Sequence, residues 1–155
     1  MTGMAVIDAY VRKETRISMA INAMLSLLIF LVVFGLHQPV ESWGLGRWVF
    51  DFLPQSFMIA LMSVLIPGAI AHKKLKKGVL APVPHSTILP RNLLVRGLVL
   101  AGASAGIGTA LVAGLVWLTG MEIIAPIPAL LFKSTYGAIL ALIVTPPALR
   151  AALAA

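Results

Sequence analysis

The stretch HKKLKKGVLAPVPHSTILPRNLLVR, residues 72–96, decides the fold, because this long basic and polar segment separates two strongly apolar halves. Its first six residues include four lysines, Lys73, Lys74, Lys76 and Lys77. A lysine at the centre of a membrane helix costs roughly 2.5 to 3.5 kcal/mol, so this run does not cross a bilayer. We expect residues 72–92 to form a cytoplasmic loop between two pairs of helices.

The composition requires lipid as the solvent for most of the chain. Of 155 residues, 60% are hydrophobic and 11% are charged, whereas a soluble domain is about 45 to 50% apolar and about 25% charged. Four apolar stretches are suited to crossing the hydrocarbon core, at residues 17–36, 55–71, 93–118 and 129–149. The sequence therefore predicts an all-α integral membrane four-helix bundle, a single membrane domain over residues 1–155. A short interfacial helix is expected within residues 1–16.

The positive residues of this topology lie on one side of the membrane. Ten of the twelve Lys and Arg residues fall on the side of the basic loop, and only Arg47 and Lys133 fall on the other. Because cytoplasmic loops carry an excess of Lys and Arg, both termini are expected in the cytoplasm. The formal net charge of +7 then reports topology, and the partner it indicates is the lipid bilayer and not nucleic acid.

The chain resembles itself at an offset of 79 residues. Ser56-Phe57 falls on Thr135-Tyr136, and Pro67 falls on Pro146. Such matches arise by duplication of a two-helix unit, but apolar sequences also match by chance. The fold is expected to be two tandem two-helix hairpins in parallel orientation if the duplication is real, and four unrelated helices if it is not.

One half of the chain carries a recognisable pattern of tryptophans, a late helical proline and a basic exit, at Trp43, Trp48, Pro67 and His72-Lys73-Lys74. This pattern resembles small bacterial two-helix membrane proteins of unknown function. The second half departs from it, because Trp117 lies before its loop and Arg150 is its single basic exit residue. The resemblance implies a bacterial inner membrane and brings no activity with it.

The glycine-rich run of residues 102–108, GASAGIG, is similar to the nucleotide-binding loop of short-chain dehydrogenases. That interpretation requires a preceding strand, whereas this run lies inside an apolar stretch. The alternative is helix packing, since small residues recur every fourth position at Gly102, Gly106, Ala110 and Gly114. Such a ridge lets membrane helices approach closely, and it predicts a homo-oligomer or a membrane protein partner.

The side chains offer little material for catalysis. The chain has no cysteine, and His37 and His72 are expected at opposite ends of the helices, so that no metal site is predicted. His72 and His85 share a side but lack a third ligand. Asp51 and the other far-side carboxylates are expected at the membrane surface. We therefore expect no catalytic residue and no cofactor, and the protein is not expected to be an enzyme.

Neutral polar residues inside the spans leave two functions open. We expect Asn22 to face another helix and hydrogen-bond there, while Met58 and Met62 are interpreted as packing residues and not as copper ligands. The first hypothesis is a scaffold or accessory subunit of the inner membrane that acts through helix packing. The alternative is a small oligomeric channel or carrier for a small solute or lipid, with a polar path formed by Asn22, Ser63, Ser104 and Thr145. In either case anionic lipid is expected to contact Lys73, Lys74, Lys76 and Lys77.

Overall fold

A computed structural model of the protein describes residues 3–84 and 87–154. It contains four α-helices and one pair of two-residue strands, in the order α1 (Gly3–Val33), β1 (Val40–Glu41), α2 (Phe52–Lys76), α3 (Leu93–Thr119), β2 (Ile123–Ile124) and α4 (Pro126–Leu153). All four helices are long and apolar enough to cross a membrane. The predicted all-α membrane four-helix bundle is confirmed, and the chain is a multi-pass membrane protein.

Local sequence explains where α3 begins and ends and where α4 begins. The side chain of Asn92 caps α3 by accepting hydrogen bonds from the backbone N–H groups of Leu94 and Val95, at 2.9 and 3.2 Å. Gly120 ends the same helix with a left-handed φ of 64°, which glycine adopts without steric cost. Pro126 starts α4, where its missing N–H removes no helical hydrogen bond.

The first helix is longer than the sequence predicted. It runs without a break over 31 residues, about 46 Å at 1.5 Å per residue, so residues 3–16 do not form a separate interfacial helix. Ile7, Tyr10 and Val11 are buried in one cluster with Leu149 and Leu153 of α4. This packing favours continuation of the helix through its charged segment, which a hydropathy pattern alone does not register.

The helices do not pack in the order of the chain. α1 packs mainly on α4, α3 packs mainly on α2, and α2 and α4 pack on each other, whereas the two helices within each half, α1 with α2 and α3 with α4, make few contacts. Small residues allow these approaches: Gly137 of α4 lies against Ser26 of α1, and Gly97 of α3 lies against Leu61 and Leu65 of α2. The two expected hairpins are therefore interlocked, with each outer helix resting on the other half of the chain.

The packing repeats between the two halves. Exchanging α1 with α3 and α2 with α4 leaves the set of packed pairs unchanged, and β1 pairs with β2 antiparallel between the halves. Ser26 contacts Gly137 and accepts a hydrogen bond from Gln55, while Gly108 contacts Ser56 and Tyr136.

These contacts give the register of the repeat. Ser26 of α1 and Gly108 of α3 hold equivalent places in these contacts, at an offset of 82. Gln55 of α2 and Tyr136 of α4 are likewise equivalent, at an offset of 81. The buried positions of α2 also recur in α4 at an offset of 81, with Phe52, Ser56, Ala60 and Val64 matching Lys133, Gly137, Ala141 and Thr145. The register of packing thus differs from the expected 79, because apolar residue identity does not determine which helix face is buried.

Candidate functional site

Four polar side chains meet between α1, α2 and α4. Ser18 Oγ lies 3.1 Å from Ser63 Oγ and accepts a hydrogen bond of 3.1 Å from Thr145 Oγ1. Asn22 Nδ2 donates to Ser63 Oγ at 3.2 Å and to the Ser18 carbonyl at 2.8 Å. All four side chains are buried. This group, the three-helix polar cluster, links the helices through hydrogen bonds in an apolar surrounding.

The cluster contains most of the residues proposed for a polar path. Asn22, Ser63 and Thr145 come together, and Asn22 bonds to another helix as expected. Ser104 lies elsewhere, half-buried on α3. Ser18 was missed, although its four-residue spacing from Asn22 places both on one face of α1. Because the cluster members hydrogen-bond to one another, they form a closed contact between helices and not a line of free polar groups.

A buried ion pair lies near the end of the bundle that carries β1 and β2, which we call the β end. The Lys133 ammonium group contacts the Asp51 carboxylate, and their side chains are 2% and 20% exposed. The same ammonium group lies 4.6 Å from the centre of the Phe52 ring and 5.4 Å from that of Phe34. Opposite charge and aromatic faces together offset the cost of removing Lys133 from water.

The ion pair is a contact that the sequence analysis did not predict. Lys133 was counted among positive residues of the far side, and Asp51 was expected at the membrane surface. Both residues lie toward the β end, where Lys133 is buried in the second turn of α4 and Asp51 directly precedes α2. The signal was present in the sequence, since Lys133 falls within the apolar span predicted at 129–149 and a charge there needs a partner.

Three further hydrogen bonds extend the polar contacts toward the β end. Gln55 Nε2 donates to Ser26 Oγ at 3.0 Å and to the Lys133 carbonyl at 3.4 Å. The hydroxyl groups of Ser56 and Tyr136 lie 2.5 Å apart. These bonds join α2 to α1 on one side and to α4 on the other. They hold α2 in a fixed rotation in the centre of the bundle.

An elongated groove separates α1 from α2. α1 packs on α4, and α2 packs on α3 and α4, so α1 and α2 make few contacts with each other. A cavity of about 610 Å³ lies between them. Ser18, Asn22 and Ser26 contribute to its lining. Its walls are apolar and consist mainly of Ile17, Ile21, Leu25 and Ile29 of α1 and Met58, Met62, Ile66 and Ile70 of α2. We call this feature the α1–α2 groove.

The small-residue ridge of α3 faces away from the rest of the chain. Gly102, Gly106 and Ala110 are exposed and Gly114 is partly exposed. Within the described part of the chain, a Cβ added at any of these three glycines would meet nothing within 4 Å. α3 uses a different face for α2, with Gly97, Ala101, Ala105 and Gly108 buried. The ridge is thus unused within the bundle.

The opposite end of the bundle, which we call the basic end, carries the lysine run. Lys73, Lys76 and Lys77 are exposed at the end of α2. Lys74 differs, because its ammonium group lies 3.8 Å from the Glu14 carboxylate and 4.3 Å from the centre of the Tyr10 ring. Three of the four lysines proposed for lipid contact therefore project outward, and the fourth is engaged with α1.

Arg96 was counted among the positive residues on the side of the basic loop, and its side chain is buried. It lies in the first turns of α3 with no exposed surface, and its Nη1 donates to the Pro90 carbonyl at 3.3 Å. Nε and Nη2 have no hydrogen-bond partner among the described residues. A cation one turn into a predicted span was the signal that could have identified it.

The histidines do not assemble a metal site in the described ranges. His37 follows α1 and His72 lies near the end of α2, at opposite ends of the bundle, while His85 falls outside the described residues. No group of three His, Asp or Glu residues in residues 3–84 and 87–154 is arranged to hold a metal ion. No family model, curated protein or solved structure matches the chain.

Proposed function

We propose that this protein is a non-catalytic component of the bacterial inner membrane, a scaffold or accessory subunit that packs its helices against another membrane chain or a second copy of itself. The observation that carries the proposal is the small-residue ridge of α3, which faces outward and has no contact within the described bundle. Small residues let helix backbones approach and gain dispersion contacts that lipid does not supply. The ridge is the surface for that partner helix.

The state of the internal polar groups supports a role without catalysis. A nucleophilic hydroxyl needs an adjacent base, but the hydroxyl groups of Ser18, Ser63 and Thr145 bond to one another and to Asn22. Asp51 is engaged with Lys133. These groups stabilise helix contacts, and no activated nucleophile is formed by them.

The proposed orientation follows from the charges at the two ends of the bundle. The lysine run lies at the basic end, whereas at the β end Arg47 pairs with Glu41 at 3.2 Å and Lys133 is buried against Asp51. The free positive charge is thus concentrated at the basic end. By the positive-inside rule that end, with both termini, faces the cytoplasm.

Cysteine trapping in native membranes tests the packing surface. The chain has no cysteine, so Gly106→Cys provides a single reactive thiol on the ridge. We expect it to form a disulfide-linked homodimer or a covalent adduct with a cysteine-bearing partner, detected by gel shift and mass spectrometry. Leu142→Cys, at an exposed position on α4, is the matched control. Equal trapping at both positions, or none at Gly106→Cys, would remove the ridge as an interface.

A second function, a small oligomeric channel or carrier, is favoured by one observation, the α1–α2 groove, whose lining includes Asn22. Proteoliposomes loaded with small solutes or labelled lipid distinguish the two. The scaffold proposal predicts no flux above that of protein-free vesicles. Flux that disappears in Asn22→Leu, with assembly unchanged, would replace the scaffold by a carrier.

A further inference from the structure

The α1–α2 groove has the shape of a site for a flexible chain. We propose that it holds one acyl chain of an anionic phospholipid, with the phosphate group at the basic end of the bundle. The groove runs from Gln55 to Ile70 along α2, about 22 Å at 1.5 Å per residue. It thus extends beyond the half-thickness of the hydrocarbon core, about 15 Å.

The groove, about 610 Å³ in volume, has a lining that suits a flexible acyl chain. Its walls are branched aliphatic and methionine side chains, and methionine adapts to a chain without a fixed shape.

The charges at the basic end select the headgroup. Ile66, Ile70, Lys73 and Lys77 follow one another at spacings of four, three and four residues, so the two lysines continue the groove face of α2 beyond its apolar part. Both are exposed. On α1 the groove ends at Glu14, whose charge is compensated by Lys74. The end of the groove beside these lysines, which we call its mouth, therefore has an excess of positive charge that complements a phosphate group.

The second half of the chain has a different side chain at the position equivalent to Gln55. Tyr136, which corresponds to Gln55, lies against Gly108 and bonds to Ser56. Its ring thus occupies space between α3 and α4. In the first half Gln55 turns its amide toward Ser26 and Lys133, which leaves the groove beside it open. The site belongs to one half of the repeat, and this asymmetry supplies matched controls.

Native mass spectrometry of the full chain tests the site. The protein is placed in mixed detergent micelles with equal amounts of phosphatidylglycerol and phosphatidylcholine that have identical chains. We expect one phosphatidylglycerol to be retained in preference to phosphatidylcholine. No retained lipid, or equal retention of the two, would overturn the proposal.

Two variants separate the groove from its mouth. Met62→Trp fills the groove, and we expect lipid retention to fall about tenfold, equivalent to roughly two lost buried methylene groups. The control is Ile143→Trp, the matching exposed position of α4. Lys73→Glu with Lys77→Glu should lower the preference for phosphatidylglycerol about tenfold or more, whereas Arg91→Glu, beside a helix that does not line the groove, should not. Retention unchanged in the first variant, or preference unchanged in the second, contradicts the site.

A measurement on the unaltered protein removes dependence on the variants. Phosphatidylglycerol with a photoreactive group in its acyl chain is activated in proteoliposomes, and the labelled peptides are mapped. We expect adducts concentrated at residues 17–29 and 55–70. Even labelling of all exposed helix faces would reduce the groove to ordinary lipid contact, and exclusion of label by a co-purified protein would assign it to a partner helix. Neither outcome bears on the ridge of α3, so the scaffold proposal is tested separately.

Discussion

Single polar and charged residues show how much of the side-chain chemistry could be predicted from the sequence. The expectation for Asn22 was met because an amide inside a membrane helix has few stable options besides another helix. The burial of Lys133 was not predicted, because its charge was counted only by side of the membrane. Its position depends on Asp51, which is 82 residues away, and a contact of that range is not visible in local composition.

The ion pair predicts a large loss of stability when Asp51 is removed. Asp51→Ala leaves the Lys133 ammonium group buried without its carboxylate, and breaking a buried pair in this way costs about 3 to 5 kcal/mol. The free energy of unfolding in detergent, measured by titration with a denaturing detergent, is expected to fall by that amount. Asp51→Ala combined with Lys133→Met should recover most of it, because no buried charge then remains.

The exposed pair of Arg47 and Glu41 is the control for this measurement. Its side chains are 52% and 57% exposed, and such pairs contribute about 0 to 1 kcal/mol. Glu41→Ala should therefore change the free energy of unfolding by less than about 1 kcal/mol. An Asp51→Ala variant as stable as Glu41→Ala would mean that the buried pair is not formed.

The ends of the helices were predicted with unequal accuracy. The accuracy depended on whether lipid or another helix covers each segment. The span expected at 93–118 matches α3, Leu93–Thr119, because lipid faces most of this helix and hydropathy follows lipid exposure. α1 begins well before its predicted span, since its charged segment is stabilised by packing on α4. α4 likewise extends at both ends of the span predicted at 129–149. Helix ends fixed by tertiary contacts are not encoded in hydropathy.

The contact between α1 and α4 predicts sensitivity at one glycine. Gly137→Ala adds a methyl group that collides with Ser26 Oγ and approaches the Asn22 carbonyl to 3.1 Å. Overpacking of this kind costs about 1 to 3 kcal/mol, which thermal unfolding in detergent should report as a lowered Tm. Gly3→Ala is the matched substitution, because Gly3 lies outside the ridge of α3 and its methyl group would meet nothing within 4 Å in the described structure. Equal Tm values for the two variants would argue against the close approach of α1 and α4.

At the scale of the whole molecule, the sequence predicted the number of helices but did not predict which helices pack against each other. Apolar spans identify which segments enter the membrane, but the choice of partner depends on small side chains such as Gly137 and Gly97 meeting the right face. The repeat seen at an offset of 79 indicated a relation between the halves. Its register in the packing, 81 or 82, became apparent only from the contacts of residues such as Ser26 and Gly108.

The interlocked arrangement has a consequence for biosynthesis. α1 emerges from the ribosome well before its main packing partner, α4, because α2 and α3 lie between them in the chain. At about 5 to 20 residues per second, roughly 120 residues take about 6 to 24 seconds to add. Ser18 and Asn22 are therefore in the bilayer without Thr145 until α4 is translated, and during that interval Ser63 of α2 is the member of the three-helix polar cluster already available to bond to them.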